Sequence, residues 1–249
     1  MSIGIVLSLY DFTGEACKPW AEAGYECHAF DIQHIKQGIT QTFEGGGSIN
    51  YTHANLHDFG THQKMYMQFS GRNVVFGMAF PVCTDMAVSG AAWFKKKAEA
   101  DPQFQTKAVV HAVLCADLFA DLGVPYFIEN PISVLATKWR KPDHRFHPYQ
   151  FGGYIPTEQA EHPRWPEYIA PRDAYRKSTC LWTGGGFAMP EQRPVEAEAY
   201  HGNGYNTATM KLGGKSQRTK DIRSATPRGF SIAAMVANAP QINGGGVVA

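Results

Sequence analysis

The feature that most constrains this sequence is an apolar run that ends in a proline and is followed at once by a cysteine. The run is Val74–Phe80, and Pro81 and Cys83 follow it. A short apolar run of this kind is typical of a central strand covered on both faces. Because proline has no amide hydrogen to donate, the strand should end at Pro81. The thiol of Cys83 is therefore expected on a turn at the carboxyl edge of a sheet, where open α/β folds bind ligands.

A cysteine in this position has two interpretations. It is a candidate nucleophile if a neighbouring group stabilises the thiolate and a partner lies nearby. It could equally be a structural thiol, because free cysteines are among the most buried residues. A second apolar run, Val124–Ile128, favours the first interpretation because it ends in Glu129 and Asn130. A carboxyl group is thus predicted at the same edge of the sheet as Cys83.

The N-terminal region has the pattern of a strand–helix–strand unit. Ile3–Tyr10 predicts a strand, Glu15–Ala23 a helix, and Tyr25–Phe30 a second strand that runs into Asp31. In Rossmann-type folds the turn between strand and helix admits a ligand, and the acid after the second strand accepts hydrogen bonds from ribose. Gly14 precedes Asp31 by 17 residues, close to the usual interval of about 20. The GxGxxG motif is absent from this unit.

The remaining pattern predicts an α/β fold whose sheet is mostly parallel and has helices on both faces. We expect a loop from residue 33 to residue 50, because this segment contains the Gly45–Gly47 run. His111 and Cys115 are four residues apart on a predicted helix, but without a second pair we expect core packing and no metal site. The other predicted elements are a strand at Tyr51–Leu56, a helix at Phe104–Leu122, a strand at Ser178–Trp182 and a helix at Phe230–Ala237.

Composition limits the classes of protein and of partner. The chain has 249 residues, of which 44% are hydrophobic, and a net charge of +1, so any contact with nucleic acid must depend on local clusters. The five cysteines are widely spaced and form no CxxC, which favours a reducing cytosol over a disulfide framework. We find no signal peptide and no apolar run of about 18 residues, so we expect a soluble, cytoplasmic protein without membrane association.

Basic and aromatic residues alternate in the second half of the chain. Leu135–Phe151 places Arg140 and Arg145 among tryptophan, phenylalanine and tyrosine side chains. Such a mixture suits contacts with phosphates and stacking on bases, although charge on a solvated loop would give the same pattern. We expect a core at residues 1–135, a small irregular DNA-contact region at 136–215, and a C-terminal segment at 216–249 that returns to the core.

Five motifs, in matching order and spacing, resemble those of the DNA (cytosine-5) methyltransferases. The resemblance covers residues 3–135, and later stretches are similar to a compact, largely phage-encoded branch of the family. The chain departs from the family pattern at Val82, Thr84 and Pro131, and its Gln-x-Arg-x-Arg motif is not evident. The matching stretches are SLYDFTGEACKPWAEAGYECHAFDI from Ser8, Asn55–Asp58, Ala79–Cys83 and Phe127–Pro131.

The resemblance implies a Rossmann-like methyltransferase fold that uses S-adenosylmethionine (AdoMet) and releases S-adenosylhomocysteine. It implies that Cys83 attacks C6 of a flipped-out cytosine, that Glu129 protonates the ring, and that Asn130 braces both. A monomer is compatible with this, and a phage-encoded enzyme would act in the cytoplasm of a bacterial host. The implied cofactor residues are Asp11, Phe12, Thr13, Gly14, Asp31, Ile32, Asp58, Phe80 and Pro81. The implied DNA-contact residues are Ser89, Lys95, Lys96, Lys97, Arg140, Arg145 and Arg176, with Arg145 and Arg176 as alternatives for the missing motif.

Three other functions remain open at this point. A related transferase could place a group other than methyl on a DNA pyrimidine. A catalytically weakened relative could bind only DNA or AdoMet, which the changes at Val82 and Thr84 favour and the retained Cys83 and Glu129 oppose. A Rossmann dehydrogenase is disfavoured by the missing GxGxxG motif.

Overall fold

A computed structural model describes residues 2–199, 211–212 and 216–240 of the chain. Within these residues, eight strands form one sheet in the order β3-β4-β2-β1-β5-β6-β8-β7. The strands are β1 (Ile5–Leu9), β2 (Glu26–Asp31), β3 (Ile39–Thr42), β4 (Ser48–His53), β5 (Val74–Ala79), β6 (Tyr126–Pro131), β7 (His144–Phe146) and β8 (Thr179–Gly184).

The centre of this sheet is parallel and its margins are not. Strands β4, β2, β1, β5 and β6 pair in parallel, whereas β3 pairs antiparallel with β4, and β8 pairs antiparallel with both β6 and β7. All five residues of β1 are buried, as expected for a strand covered on both faces. The predicted α/β class, with a Rossmann-like and mostly parallel sheet, is confirmed.

Helices cover both faces of the sheet. Phe69 and Phe119 belong to the core on one face, and Trp20 and Phe230 belong to the core on the other. Helices α2 and α4 supply the first face, and α1 and α7 the second. The described helices are α1 (Lys18–Glu22), α2 (Phe59–Phe69), α3 (Phe94–Ala100), α4 (Phe104–Asp121), α5 (Leu135–Lys138), α6 (Gln217–Ser224) and α7 (Arg228–Asn238).

The order of the strands creates a crevice at the carboxyl edge. From β1 the chain moves to β2 and β4 on one side, and then returns to β5 on the other side of β1. Such a reversal is the point where open α/β sheets bind ligands. The amide of Phe80 donates to the carbonyl of Leu9 over 3.0 Å, so the ends of β5 and β1 stay together at this crevice.

The predicted loop at residues 33–50 is wrong, because the segment forms most of a hairpin. Strand β3 pairs with β4, and the glycine run makes the turn, where Gly46 has a φ of 80°. The amide of Phe43 donates to the carbonyl of Gly47 over 3.0 Å. All four side chains of β3 are exposed, so the strand lacks the alternation that identifies strands in sequence. The third parallel strand accordingly lies at Ser48–His53 and not at Tyr51–Leu56.

The regions after residue 135 contain both regular and irregular structure. Strand β7 lies in the stretch predicted to be irregular, and Phe146 on it stacks on Phe230 of α7 with ring centroids 4.2 Å apart. Both segments proposed after residue 135 extend partly outside the described residues, so the predicted division into regions stays a prediction. Among the helices that the structure describes, none is long and apolar enough to cross a membrane.

Gly77 in β5 gives a stability prediction. A Cβ atom at this position would overlap the ring of Phe119, which is fully buried on α4. We expect Gly77→Ala to lower the free energy of unfolding by about 1–3 kcal/mol, because the core has no space for an added methyl group. Urea denaturation followed by circular dichroism measures this. Gly60→Ala is the matched control, since its Cβ would meet nothing closer than 3.4 Å; equal losses in both variants would contradict the prediction.

Candidate active site

Cys83 lies on a tight turn directly beyond β5. Its carbonyl oxygen accepts hydrogen bonds from the amides of Met86, over 2.9 Å, and Ala87, over 2.8 Å. Pro81 is buried, whereas Cys83 is partly exposed. The other four cysteines are buried. The turn therefore presents Cys83 at the carboxyl edge, as the strand pattern predicts.

Three hydrogen bonds join this turn to the end of β6 and to the segment that follows it. The Asn130 side-chain amide donates to the Pro81 carbonyl over 2.9 Å, and Asn130 is only 1% exposed. The other two bonds join backbone groups, from Val88 to the carbonyl of Ile132 and from Val134 to that of Met86, each over 3.0 Å. These contacts bring the loops of Cys83 and Glu129 together. The side chain of Asn130 thus contacts the turn of Cys83, and its role as a brace stays a prediction.

Lys177 is a third ionisable residue at this edge, beside Cys83 and Glu129, and no sequence pattern predicted it. Strand β8 runs antiparallel to β6 and pairs Thr179 with Pro131, so the residues just before β8 reach the carboxyl edge. The Nζ of Lys177 donates to the carbonyl of Arg223 in α6 over 3.0 Å. An antiparallel last strand would have been the signal, because only that direction brings residue 177 to this edge.

Charge and burial set the acid–base properties of the three groups. Burial and the neighbouring Glu129 raise the pKa of the Cys83 thiol, and Lys177 opposes this shift. Burial also raises the pKa of Glu129, again opposed by Lys177. The Oε1 atom of Glu129 is buried without a hydrogen-bond partner among the described residues. A carboxyl group with a raised pKa thus lies beside a thiol whose anion a lysine can stabilise.

Asp11 shapes the turn after β1. Its carboxylate accepts hydrogen bonds from Ser8 and from the amide of Gly14, both over 2.8 Å, and from Thr13 over 3.4 Å. Tyr10, directly before it, has a φ of 59°, a left-handed conformation that is rare for a bulky residue and that clusters at functional sites. Asp11 was predicted to contribute to a cofactor site. Its carboxylate forms these hydrogen bonds within its own turn and so fixes the shape of the turn.

The other predicted cofactor residues surround the same edge. Phe12 and Ile32 are 40% and 57% exposed, so both offer apolar surface to a ligand. Asp31 is buried, and its Oδ1 accepts from the amide of Gln33 over 2.8 Å. Asp58 caps the N-terminus of α2 through the amide of Gly60 over 3.2 Å. Phe80 and Pro81, at the end of β5, complete the set.

A pocket of about 520 Å³ opens beside Phe12 and Thr13. His34 and Tyr51 also line it, as does Arg164, whose guanidinium lies 3.5 Å from the Glu15 carboxylate. The position of Arg164 was not predicted, because it lies in an irregular proline-rich segment. The pocket places one cation and several aromatic rings next to the turn of β1.

The predicted DNA-contact arginines differ in their surroundings. Arg140 donates to Asp143 over 2.6 Å and to the carbonyl of Thr183 over 2.8 Å. Arg176 donates to the carbonyl of Glu198 over 2.9 Å. Arg145, on β7, is exposed. Arg145 and Arg176 are the two alternatives for the missing Gln-x-Arg-x-Arg motif, and Arg145 is the more accessible of the two. The choice between them stays a prediction.

The predicted phosphate contacts after Cys83 also differ from one another. Ser89, Lys95 and Lys96 are exposed. Lys97 instead donates to the Asp85 carboxylate over 2.5 Å and to the carbonyl of Thr84 over 3.0 Å. Lys97 therefore differs from its two lysine neighbours in its contacts, because its ammonium group contacts the turn that carries Cys83.

Comparisons with known proteins add little to this picture. No protein-family model and no curated protein matches the chain. Among solved structures, a match is a prophage-encoded protein from E. coli described as a DNA modification methyltransferase, with 10% identity and a TM-score of 0.40. The match covers 73% of this chain and 46% of that one, so this chain spans less than half of its length. A likeness of this degree does not indicate what this chain binds or does.

Proposed function

We propose that this protein is a DNA (cytosine-5) methyltransferase. It transfers a methyl group from AdoMet to C5 of a cytosine through a covalent bond between Cys83 and C6. The observation that carries the proposal is the grouping of Cys83, Glu129 and Lys177 at the carboxyl edge, where burial raises the pKa of the thiol and of the carboxyl group and Lys177 opposes both shifts. A protein that only binds DNA has no need of a thiol and a carboxyl group held together in this way.

Cys83 acts as the nucleophile in this mechanism. The target cytosine must leave the base stack, because its ring carbons are inaccessible inside a duplex. The thiolate of Cys83 then forms a bond to C6, and Lys177 offsets the unfavourable effect of burial on that anion. The amide of Asn130 holds the Pro81 carbonyl, which fixes the turn relative to β6.

Glu129 supplies the proton that makes the attack feasible. Because burial raises the pKa of Glu129, the carboxyl group keeps its proton at a pH where an ordinary glutamate has lost it. Protonation of N3 as the S–C6 bond forms leaves the pair of electrons at C5 and no net negative charge on the ring. After C5 has gained the methyl group, it loses its own proton to a base, and the S–C6 bond breaks to restore the C5–C6 double bond and the thiolate. The N3 proton returns to Glu129, which leaves a neutral base and a regenerated acid.

The residues around the turn of β1 fit AdoMet. Gly14 has a φ of 71° in this turn. The exposed ring of Phe12 and the exposed aliphatic side chain of Ile32 suit contact with an adenine. Asp31, after β2, suits the ribose hydroxyls. When bound there, AdoMet supplies an electrophilic methyl group.

Asp31 gives a test of the cofactor site that is independent of catalysis. We expect Asp31→Ala to weaken AdoMet binding roughly 10- to 100-fold, because hydrogen bonds from ribose to a charged acceptor are lost. DNA affinity should not change. Isothermal titration calorimetry with AdoMet measures the first effect, and fluorescence anisotropy of a labelled duplex the second. Asp121→Ala, an exposed aspartate at the end of α4, is the control; unchanged AdoMet affinity in Asp31→Ala would refute the assignment.

DNA would approach the edge that carries Cys83. Lys95, Lys96 and Arg145 are exposed, so their charged groups can reach phosphates. The net charge of +1 implies that binding depends on such local groups and weakens with added salt.

The reaction is tested by incubating the protein with AdoMet and cytosine-containing DNA, then digesting the DNA to nucleosides for mass spectrometry. The proposal predicts a product heavier than deoxycytidine by CH2, because a methyl group replaces a hydrogen, and identical to 5-methyldeoxycytidine. A heavier adduct at the same carbon would instead support the transfer of another group. Unmodified DNA, with AdoMet binding intact, would support a binding protein.

A further inference from the structure

We infer that Lys97 is a positioning residue that holds the Cys83 turn in place, and that it is not a phosphate contact like Lys95 and Lys96. The inference rests on the proposed function for its effect on catalysis. The geometric part concerns Cys83 alone and can be measured without DNA or AdoMet.

The turn is fixed on its inner side by the contacts to β6. The Asn130 amide holds the carbonyl of Pro81, and the two backbone bonds hold Met86 and Val88 against the segment after β6. Between these points lie the four residues 82–85, which include Cys83. On the outer side, Lys97 donates to both Thr84 and Asp85.

Lys97 lies on a segment at the surface of the protein. None of the side chains from Val88 to Ala100 is buried. The ring of Phe94 contacts Phe104, with centroids 5.8 Å apart, and the Lys97 ammonium lies 6.0 Å from the same Phe104 ring. The two hydrogen bonds of Lys97 therefore join this surface segment directly to the turn that carries Cys83.

The three consecutive lysines provide internal controls. Lys95 and Lys96 are exposed, whereas the Lys97 side chain is one-third exposed and contacts Asp85 over 2.5 Å. Their roles should therefore separate experimentally. Loss of Lys96 should weaken DNA binding and reduce its salt dependence, and loss of Lys97 should alter the Cys83 turn.

Cys83 can report on its own turn because the other four cysteines are buried. Alkylation of the native protein by iodoacetamide should thus give one adduct. The rate of alkylation should rise with pH to a plateau, because only the thiolate reacts, and the midpoint of the rise gives the pKa of the Cys83 thiol. Because Lys97 holds the turn through Thr84 and Asp85, Lys97→Met should raise the plateau several-fold and leave the midpoint unchanged. Lys177→Met should instead leave the plateau unchanged and move the midpoint to higher pH, because Lys177 stabilises the thiolate by its charge.

The experiment measures iodoacetamide adducts by intact mass for the parent, Lys97→Met, Lys97→Arg and Lys96→Met. We expect a raised plateau with one adduct in Lys97→Met, and parental behaviour in the other two variants, since arginine can keep the contact with Asp85. Single-turnover methyl transfer at saturating DNA should fall roughly tenfold in Lys97→Met, because small displacements of a reacting atom are costly. Lys64→Met, at an exposed lysine on α2, is the activity control and should keep the parental rate.

A parental plateau in Lys97→Met would overturn the inference, as would a raised plateau of equal size in Lys96→Met. If Lys97→Met showed several adducts, it would be partly unfolded, and Asp85→Asn, which removes the same ion pair from the other side, would decide by the same criteria. Absence of methyl transfer in the parent would refute the proposed function and leave the alkylation result standing.

Discussion

Replacement of Cys83 by serine is expected to lower the rate of methyl transfer roughly 10⁴-fold or more, because the covalent route to C5 is lost with the nucleophile. A serine hydroxyl has the same place on the turn, but it is a far weaker nucleophile than a thiolate at neutral pH. Binding of AdoMet should remain near the parental value, since the substitution changes one side-chain atom and leaves the neighbouring Phe80 and Pro81 as they are. Tritium transfer from labelled AdoMet to DNA measures the rate, and calorimetry measures the affinity.

Thr84→Ala is the matched control for this variant. Thr84 is the next residue on the same turn and is exposed, and Lys97 contacts its carbonyl oxygen, which the substitution retains. We expect Thr84→Ala to stay within a few-fold of the parent. Parental transfer by Cys83→Ser would show that the reaction does not pass through a cysteine adduct.

Replacement of Glu129 by glutamine has the second-largest expected effect, a loss of roughly 10²–10⁴-fold in transfer. Glutamine keeps the shape of the side chain but has no carboxyl proton to give to N3. The buried position of Glu129 and its raised pKa are what make it suitable as an acid. The same tritium assay measures the loss, with the exposed Glu99→Gln on α3 as the control.

A second measurement on Glu129→Gln separates loss of an acid from loss of structure. The charge of Glu129 raises the pKa of the Cys83 thiol. Its removal should therefore lower that pKa, and iodoacetamide should react with Cys83 faster at a given pH. A variant that loses methyl transfer while its thiol becomes more reactive fits the assigned role. Slower alkylation, or undiminished transfer, would count against it.

The strands of the core could be predicted because their residues are apolar and continuous. Val74–Phe80 and Pro81 locate β5 and its end, and the pattern around Asp31 locates β2. Both ends of helix α4 were predicted to within one residue, because apolar side chains that recur at helical spacing over 18 residues fit no other regular element. From these elements alone, the sequence predicts that Cys83 and Glu129 share an edge.

The remaining features depend on contacts that no local pattern encodes. Lys177 reaches the site only because β8 is antiparallel, and a short strand does not reveal its direction in sequence. Lys97 looks like its two lysine neighbours, and only the fold of the turn pairs it with Asp85. Strand β3 has no buried side chain, so its pairing with β4 leaves no apolar alternation to detect.

The most direct test of the account is a trapping experiment with DNA that contains 5-fluorocytosine in place of cytosine. Fluorine at C5 cannot leave as a proton, so an enzyme that uses the proposed route stays bound to its product through the S–C6 bond. The account predicts, in the presence of AdoMet, a complex that resists denaturation and whose peptide map places the methylated nucleotide on Cys83. Stoichiometric methylation of ordinary cytosine without any such complex, or a complex at another residue, would contradict it.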